Sequence, residues 1–463
     1  MLMTDIAANI LLTLRAGPMS AAEIAAGLRV NATTVSRQLN RLGQRVIKTG
    51  AGRSTRWYLP RPLAATQGLH MLPVYRVDLA GTVSKIAHLY AVYPAESYLV
   101  EYFREGNTDQ QPETIVEWTY FESLPWWLTD MRPQGFLGRS FANQLRAKGE
   151  LIDADPRTWS EDQVLSVLAA YPQDSIGNLL VGEQAYQAWL LRSETLPMSD
   201  SEAAERAESI ARGEHFNSSA QGEQPKFTAC RAGVECIVKF SGRVEHTAMD
   251  TVANRWADLL QVEALSSKVL NRSLPDIAAD NRSFRENGRT FMASRRFDRT
   301  LPGGRVGVIS LSSLDAEFVG QANQPWPVIM QALANSNVVT ELALVHSKIV
   351  WAFGQLIANS DMHLGNLSVL NEVGRPYRLA PIYDMLPMHF APTSAGDLPM
   401  QTRAIGLCSH VSKVHWELAY PMAIELWQQV VQHPGISEHF KVLAQRQLEV
   451  VQDFAAVIHR MAN

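Results

Sequence analysis

The residues with the most chemical content lie in "IANSDMHLGNLSVL", positions 357–370. Asp361, His363 and Asn366 sit there between Ile, Leu and Val residues that favour burial. A polar group near a core costs free energy unless it is paired, so these three either satisfy one another or hold something from outside. A carboxylate can take a proton from a hydroxyl, and a carboxamide can ligate a hard cation. Lys239 raises the same question, because it lies inside the strand-like run "VECIVKFSG", where an ammonium needs an anion to meet it. A second carboxylate, Asp384, follows the strand-like "PYRLAPI" and comes eighteen residues after Asn366.

The spacing narrows the chemistry. Asn366 lies five residues after Asp361, the D-x-x-x-x-N interval at which protein kinases place a catalytic base and a metal-binding asparagine. Phosphoryl transfer needs positioning and charge neutralisation more than covalent chemistry, and a strand lysine, two metal-holding groups and a carboxylate supply both. The chain order is a polar loop (215–229), strand Lys239, a helix with Asp258 and Glu263, a strand "RTFMASRRFDR" ending in Phe297, then Asp361, Asn366 and Asp384. That is kinase order across both halves of a bilobal fold, with Glu263 as the candidate partner of Lys239. Three details depart from ordinary protein kinases. His363 follows Asp361 rather than preceding it, Gly222 is the one glycine in the loop, and Tyr383-Asp384-Met385 replaces D-F-G.

With these departures the chain resembles the HipA-like serine/threonine kinases, toxins of bacterial toxin–antitoxin systems. The matching pieces are "SSAQGEQPKF" (218–227), "IVKF" (237–240), "RRFDR" (295–299), "NSDMHLGN" (359–366) and "PIYD" (381–384), and "PWWLTDMRPQGFLGR" (125–139) looks like the family's N-subdomain signature. The resemblance spans roughly residues 70–460 and implies an α+β, bilobal, protein-kinase-like fold using ATP and Mg²⁺. It implies Asp361 as catalytic base, and Asn366 and Asp384 as Mg²⁺ ligands. Lys239 would contact the α/β-phosphates, with Phe297 at the hinge near adenine and Ser219 and Gly222 in the ATP-binding loop. Ser219 matches the family's autophosphorylated serine, with Ser218 as the neighbour that could substitute, and His363 supports the loop. Arg295 stands where the family often has Glu. Aminoacyl-tRNA synthetases are the family's substrate class, and an antitoxin protein its usual partner.

The elements that must position these groups begin with a separate module. "DIAANILLTLR" has apolar residues at helical spacing; Ser20 with Glu23 predicts a capping box; Gly27 is expected to end the second helix; Asn31 caps a third, with Val35, Leu39 and Leu42 on one face. "RVIKTGAGRSTRWYL" reads as two strands around a turn. Three helices and a hairpin predict a winged helix-turn-helix over residues 1–62. Thr33, Thr34, Ser36, Arg37 and Arg41 would face DNA from the third helix, with Arg53 and Arg56 on the wing meeting phosphates. Residues 1–62 hold nine basic residues against two acids, while the whole chain carries −4, so a polyanion partner is expected for this module alone. "PRPLAATQG" (60–68) reads as a linker, residues 70–300 as an N-terminal subdomain with the kinase N-lobe, and residues 301–463 as a helical C-lobe. The acidic run "DSEAAERAESIARGE" (200–214) reads as a solvated helix and "TVANRWADLLQVEALSSKVLN" as an amphipathic one.

Composition limits the alternatives. Across 463 residues, 46% are apolar and 19% charged, which suits a globular chain of two or three domains. No apolar run reaches the ~18–20 residues of a membrane span, and the N-terminus lacks a basic n-region, so no membrane partner is expected. Three cysteines without CxxC spacing fit a reducing cytoplasm, with nucleoid association through the DNA-binding module. Two other readings remain open. One is a transcription regulator whose kinase-like body senses a ligand without catalysis. The other is a mononuclear metal hydrolase built on Asp361, His363, Asp384 and His389, which no HxH or HxxxH pair supports.

Overall fold

A computed structural model describes residues 6–63, 71–103, 115–171, 174–192, 196–214, 224–244, 250–300 and 303–462. The chain divides into two units, Met1–Pro133 with Leu145–Ser193, and Gln134–Gln144 with Glu194–Asn463.

The first unit opens with α1 (Ile6–Leu14), α2 (Ala21–Leu28) and α3 (Ala32–Leu42), then an antiparallel hairpin of β1 (Ile47–Thr49) and β2 (Arg56–Tyr58). This is a winged helix-turn-helix with Arg53 in the turn of the wing. Ser20 and Glu23 form the reciprocal capping box, and Asn31 accepts from the Thr33 amide at the start of α3. Gly27 does not end α2. The helix runs one residue further, Leu28 packs on the core of Ile10, Ile24, Val35 and Leu39, and Arg29 makes the left-handed exit at φ 55°.

An antiparallel sheet follows, built from β3 (Met71–Val77), β4 (Val83–Val92), β5 (Ser97–Phe103) and β6 (Ile115–Phe121); α4 (Gly135–Ala147) next falls mostly in the second unit, and α5 (Glu161–Ala170), β7 (Leu179–Val181) and α6 (Glu183–Leu190) return to the first. The strand order is β6-β5-β4-β3-β7. The start of the expected linker is in fact tied to this sheet. Pro60 bridges to Val92, and the Arg61 amide donates to the Ala91 carbonyl at 2.9 Å. The Arg61 side chain is buried against Asp162, which removes it from the basic surface of the module. Tyr58 and Ile47 of the wing pack with Val92, Leu99, Trp118 and Tyr120, so the wing rests on the sheet face.

Beyond α4, the second unit continues with α7 (Asp200–Ser209), β8 (Lys226–Arg231), β9 (Val234–Phe240), α8 (Val252–Ser273), β10 (Asn281–Glu286) and β11 (Arg289–Arg295). The sheet order is β10-β11-β9-β8, antiparallel throughout. α7 is not simply a solvated helix. Ala203, Ala204 and Ala207 are buried against Phe227, Val238, Phe240 and Phe291, and small residues spread through an acidic run give little periodic signal. Nor is α8 amphipathic in the ordinary sense. Arg255, Asp258, Gln261 and Glu263 are buried along with its leucines, because the helix touches β10 and β11 as well as a C-terminal helix.

Short strands β12 (Arg299–Thr300), β13 (Gly304–Arg305) and β14 (Gly307–Ser310) lead into α9 (Leu311–Phe318), α10 (Trp326–Asn335) and α11 (Glu341–Leu356). A loop then passes through β15 (Ser368–Asn371) and β16 (Arg378–Leu379), and α12 (Lys413–Gln432) and α13 (Glu438–Arg460) close the unit. Trp326, Trp416, Trp427, Phe353, Phe390 and Phe440 fill the helical core. Among the described residues no helix is long and apolar enough to cross a membrane.

Candidate functional site

Lys239 stands on β9 opposite Met292 of β11 and is buried. Its Nζ donates to both Glu263 carboxylate oxygens, at 2.7 and 2.8 Å, and to Oδ1 of Asp384. Glu263 is therefore the acid that meets the strand lysine, and Asp384 joins it. Burial alone would lower the Lys239 ammonium, but Asp384 and Glu263 outweigh it and hold the group above the ordinary lysine value. Burial likewise works to raise Asp384, yet Lys239, with Lys226 and His363 behind it, brings this carboxyl down to about 2. Glu263 is raised by burial, with Lys239 opposing. One ammonium therefore lies between two carboxylates, and the Asp384 side chain keeps 32% of its surface open.

The loop after α11 supplies the rest. Ala358 turns the chain at φ 60°, and Asn359 follows, 1% exposed. Asn359 Oδ1 accepts from the Asp361 amide at 3.0 Å, and its Nδ2 donates to the Asp384 carbonyl at 3.3 Å. One carboxamide thus fixes the backbone of both aspartates. Asn366 Nδ2 donates to the Asp361 carbonyl at 2.8 Å, which leaves Oδ1 as its free acceptor among the described residues. Asp384 takes φ 53°, a left-handed conformation that aspartate tolerates better than most residues. Loss of solvation, with the Asp384 carboxylate adding to it, raises the Asp361 carboxyl against the opposing pull of His363.

Supporting contacts are local. The His363 Nδ1 accepts from the Gly365 amide at 3.0 Å, and a Cβ at Gly365 would lie 2.9 Å from the same ring. Trp326 donates to the His363 carbonyl at 2.9 Å. A Cβ at Gly354 on α11 would clash with the Met362 sulfur, so glycine there lets the loop lie against the helix. Phe297 stacks on Tyr383 with centroids 5.9 Å apart, and the Tyr383 hydroxyl donates to the Gly365 carbonyl at 2.8 Å. Arg295 is exposed, while Arg296 and Arg299 pair with Asp298 beside it.

Lys239, Asp361, Asn366 and Asp384 are therefore brought into one site, with His363 and Phe297 at its edges. Ser218, Ser219 and Gly222 lie outside the described residues. In the first unit Thr33, Arg37, Arg41 and Arg53 are exposed, Thr34, Ser36 and Arg56 half-buried, and Arg56 reaches Glu23 at 3.6 Å. Asn359 and Tyr383 were missed from sequence. Asn359 had a usable signal: a polar residue directly after an apolar helical run must be paired if it is buried. The oxygen donors of Asn366 and Asp384 suit a hard cation that keeps part of its water, as Mg²⁺ does. His389 reaches instead to the Gln401 carbonyl, and no cluster of three or more His, Cys, Asp or Glu among the described residues could hold a metal by itself, against the hydrolase reading.

Residues 218–460 match the model of the HipA-like C-terminal domain, residues 69–190 that of the YjjJ-like toxin, middle domain, and residues 5–45 that of the bacterial regulatory protein, arsR family. Toxin YjjJ of Escherichia coli (strain K12) is 36% identical over 456 residues, covering 96% of this chain and 98% of that protein. Among solved structures, HipA in the Shewanella oneidensis MR-1 complex with HipB and operator DNA is similar at TM-score 0.49 and 12% identity, over 82% of this chain and 96% of that one. The Helicobacter pylori proinflammatory kinase CtkA aligns at TM-score 0.37 and 13% identity, over 52% of this chain and 93% of that one.

Proposed function

Because the chain belongs to the HipA-like toxin family, we propose that it is an ATP- and Mg²⁺-dependent serine/threonine protein kinase carrying its own DNA-binding domain. One observation carries the reading: Lys239 bridges Glu263 and Asp384 while Asn359 fixes Asp384 and Asp361 together. Lys239 would contact the α/β-phosphates, held in place by Glu263. Asn366 and Asp384 would hold Mg²⁺, which when bound neutralises phosphate oxygens. Asp361 would accept the proton of the attacking hydroxyl, a task helped by its raised carboxyl. Phe297, stacked on Tyr383, would lie against adenine, and His363 would keep the loop in shape.

The protein substrate would be of the family's class, an aminoacyl-tRNA synthetase, with Ser219 or Ser218 taking phosphate in autophosphorylation and an antitoxin protein as partner. The winged helix-turn-helix would place Thr33, Thr34, Ser36, Arg37 and Arg41 in the major groove, with Arg53 and Arg56 on phosphates. The test is transfer from labelled ATP with Mg²⁺ and cell extract, followed by identification of the labelled proteins. Wild type labels itself and a substrate, and Asp361→Asn labels neither. ATP binding without any transfer by the wild type would replace this reading with the ligand-sensing regulator.

A further inference from the structure

Arg255, in the first turn of α8, has no exposed surface. Its Nη1 donates to the Phe390 carbonyl at 2.8 Å and to the Pro399 carbonyl at 3.0 Å, and its Nη2 donates to Asp250 at 2.6 Å. The guanidinium lies 5.7 Å from the Phe440 ring centroid. A fully buried guanidinium is costly, and an apolar side chain would fill the same volume without that cost. What only a planar, multi-donor group does is tie separate stretches of irregular backbone to one helix.

Those stretches belong to the candidate site. Phe390 comes six residues after Asp384, and the neighbouring His389 amide donates to the Ala358 carbonyl at 3.1 Å, one residue before Asn359. α8 itself carries Glu263. The two carboxylates that share Lys239 therefore sit on two elements, and Arg255 bonds one to the other.

We infer that Arg255 is a positioning residue that keeps Glu263 and Asp384 in register on Lys239 by locking α8 to the segment after Asp384. This rests on the kinase reading for its catalytic consequence, though not for its mechanical one. The full-length protein carries the test as Arg255→Met, which keeps the volume, and Arg255→Lys, which keeps one charged donor. Hydrogen exchange is read over residues 252–263 and 384–400, and turnover and KM for ATP are read alongside. In Arg255→Met both segments exchange faster together while the melt stays cooperative. Turnover falls about a hundredfold per folded molecule with KM for ATP changed less than about threefold, the pattern of a displaced catalytic group. Arg255→Lys recovers at least about a tenth of the wild-type turnover.

Unchanged exchange in the two segments, or activity lost only in proportion to unfolded protein, overturns the inference. A wild type without phosphate transfer sinks the kinase reading alone, because coupled exchange would still support the lock.

Discussion

Two buried ion networks make an instructive pair. In the first unit Arg61 donates to Asp162 through both terminal nitrogens and to the Val92 carbonyl at 2.8 Å, and Tyr98 donates to the same carboxylate at 2.6 Å. One cation meets one anion, and the surrounding donors are occupied. In the second unit Lys239 meets two carboxylates, Asp384 in turn raises Asp361, and part of Asp384 is open to solvent. The first network is electrically closed and joins the winged module to its sheet. The second gathers several acids around one buried ammonium, with Lys226 and His363 acting on Asp384 from farther off and part of Asp384 open to solvent. Burial of charge does not separate structure from function here; the gathering of several acids with perturbed protonation at one solvent-facing rim does.

The comparison breaks most sharply at Asp361. Asp361→Asn should lower phosphate transfer by about a thousandfold or more without lowering the melting temperature, since loss of solvation already disfavours the charged carboxylate there. Equal loss of folding would put this aspartate in the structural class. Next comes Arg61→Ala, which strands Asp162 and should cost about 3 kcal/mol in chemical denaturation, without touching turnover of the folded protein. Replacing both partners, Arg61→Met with Asp162→Leu, should restore most of that stability. The matching double change at Lys239 and Glu263 would restore stability but not activity.

A third acid sharpens the contrast through pH. Asp258 accepts from the Ser437 amide at 2.8 Å and from its hydroxyl at 2.5 Å, yet burial pushes its carboxyl up to about 6. Its folded value lies above its unfolded one, so the cost is at its full size at pH 7 and is relieved progressively as pH falls from 6 to the unfolded value near 4. Asp258→Asn should therefore stabilise the protein by about 1–3 kcal/mol at pH 7, by roughly half as much at pH 5, and by little only below about pH 4, read from denaturation midpoints. The smallest effect concerns the basic module. Arg37→Ala and Arg53→Ala should each weaken DNA binding several-fold and flatten the log–log salt slope by about 0.9, while Arg61→Ala leaves the slope alone.

Much of this was legible in the chain. The capping box, the Asn31 cap and the wing strands rest on local pattern, and a strand lysine needs an anion, though which acid meets Lys239 came only from the structure. Where the reading fell short, the cause was non-local. Arg61 looked like one more basic residue of a DNA-binding module, because Asp162 is a hundred and one positions away. The alanines of α7 and the polar residues of α8 were placed on the wrong side of the solvent boundary, because burial there depends on the sheets and helices packed over them.

By itself the sequence determined the residue types and intervals that phosphoryl transfer requires, the family they resemble and the helices, strands and caps that short-range pattern dictates. Tertiary structure alone decided which charges are paired one to one and which gather several acids around one cation. That distinction depends on partners far apart in sequence, such as Asp384 on Lys239 and Arg255 on Phe390, brought together only when the core forms.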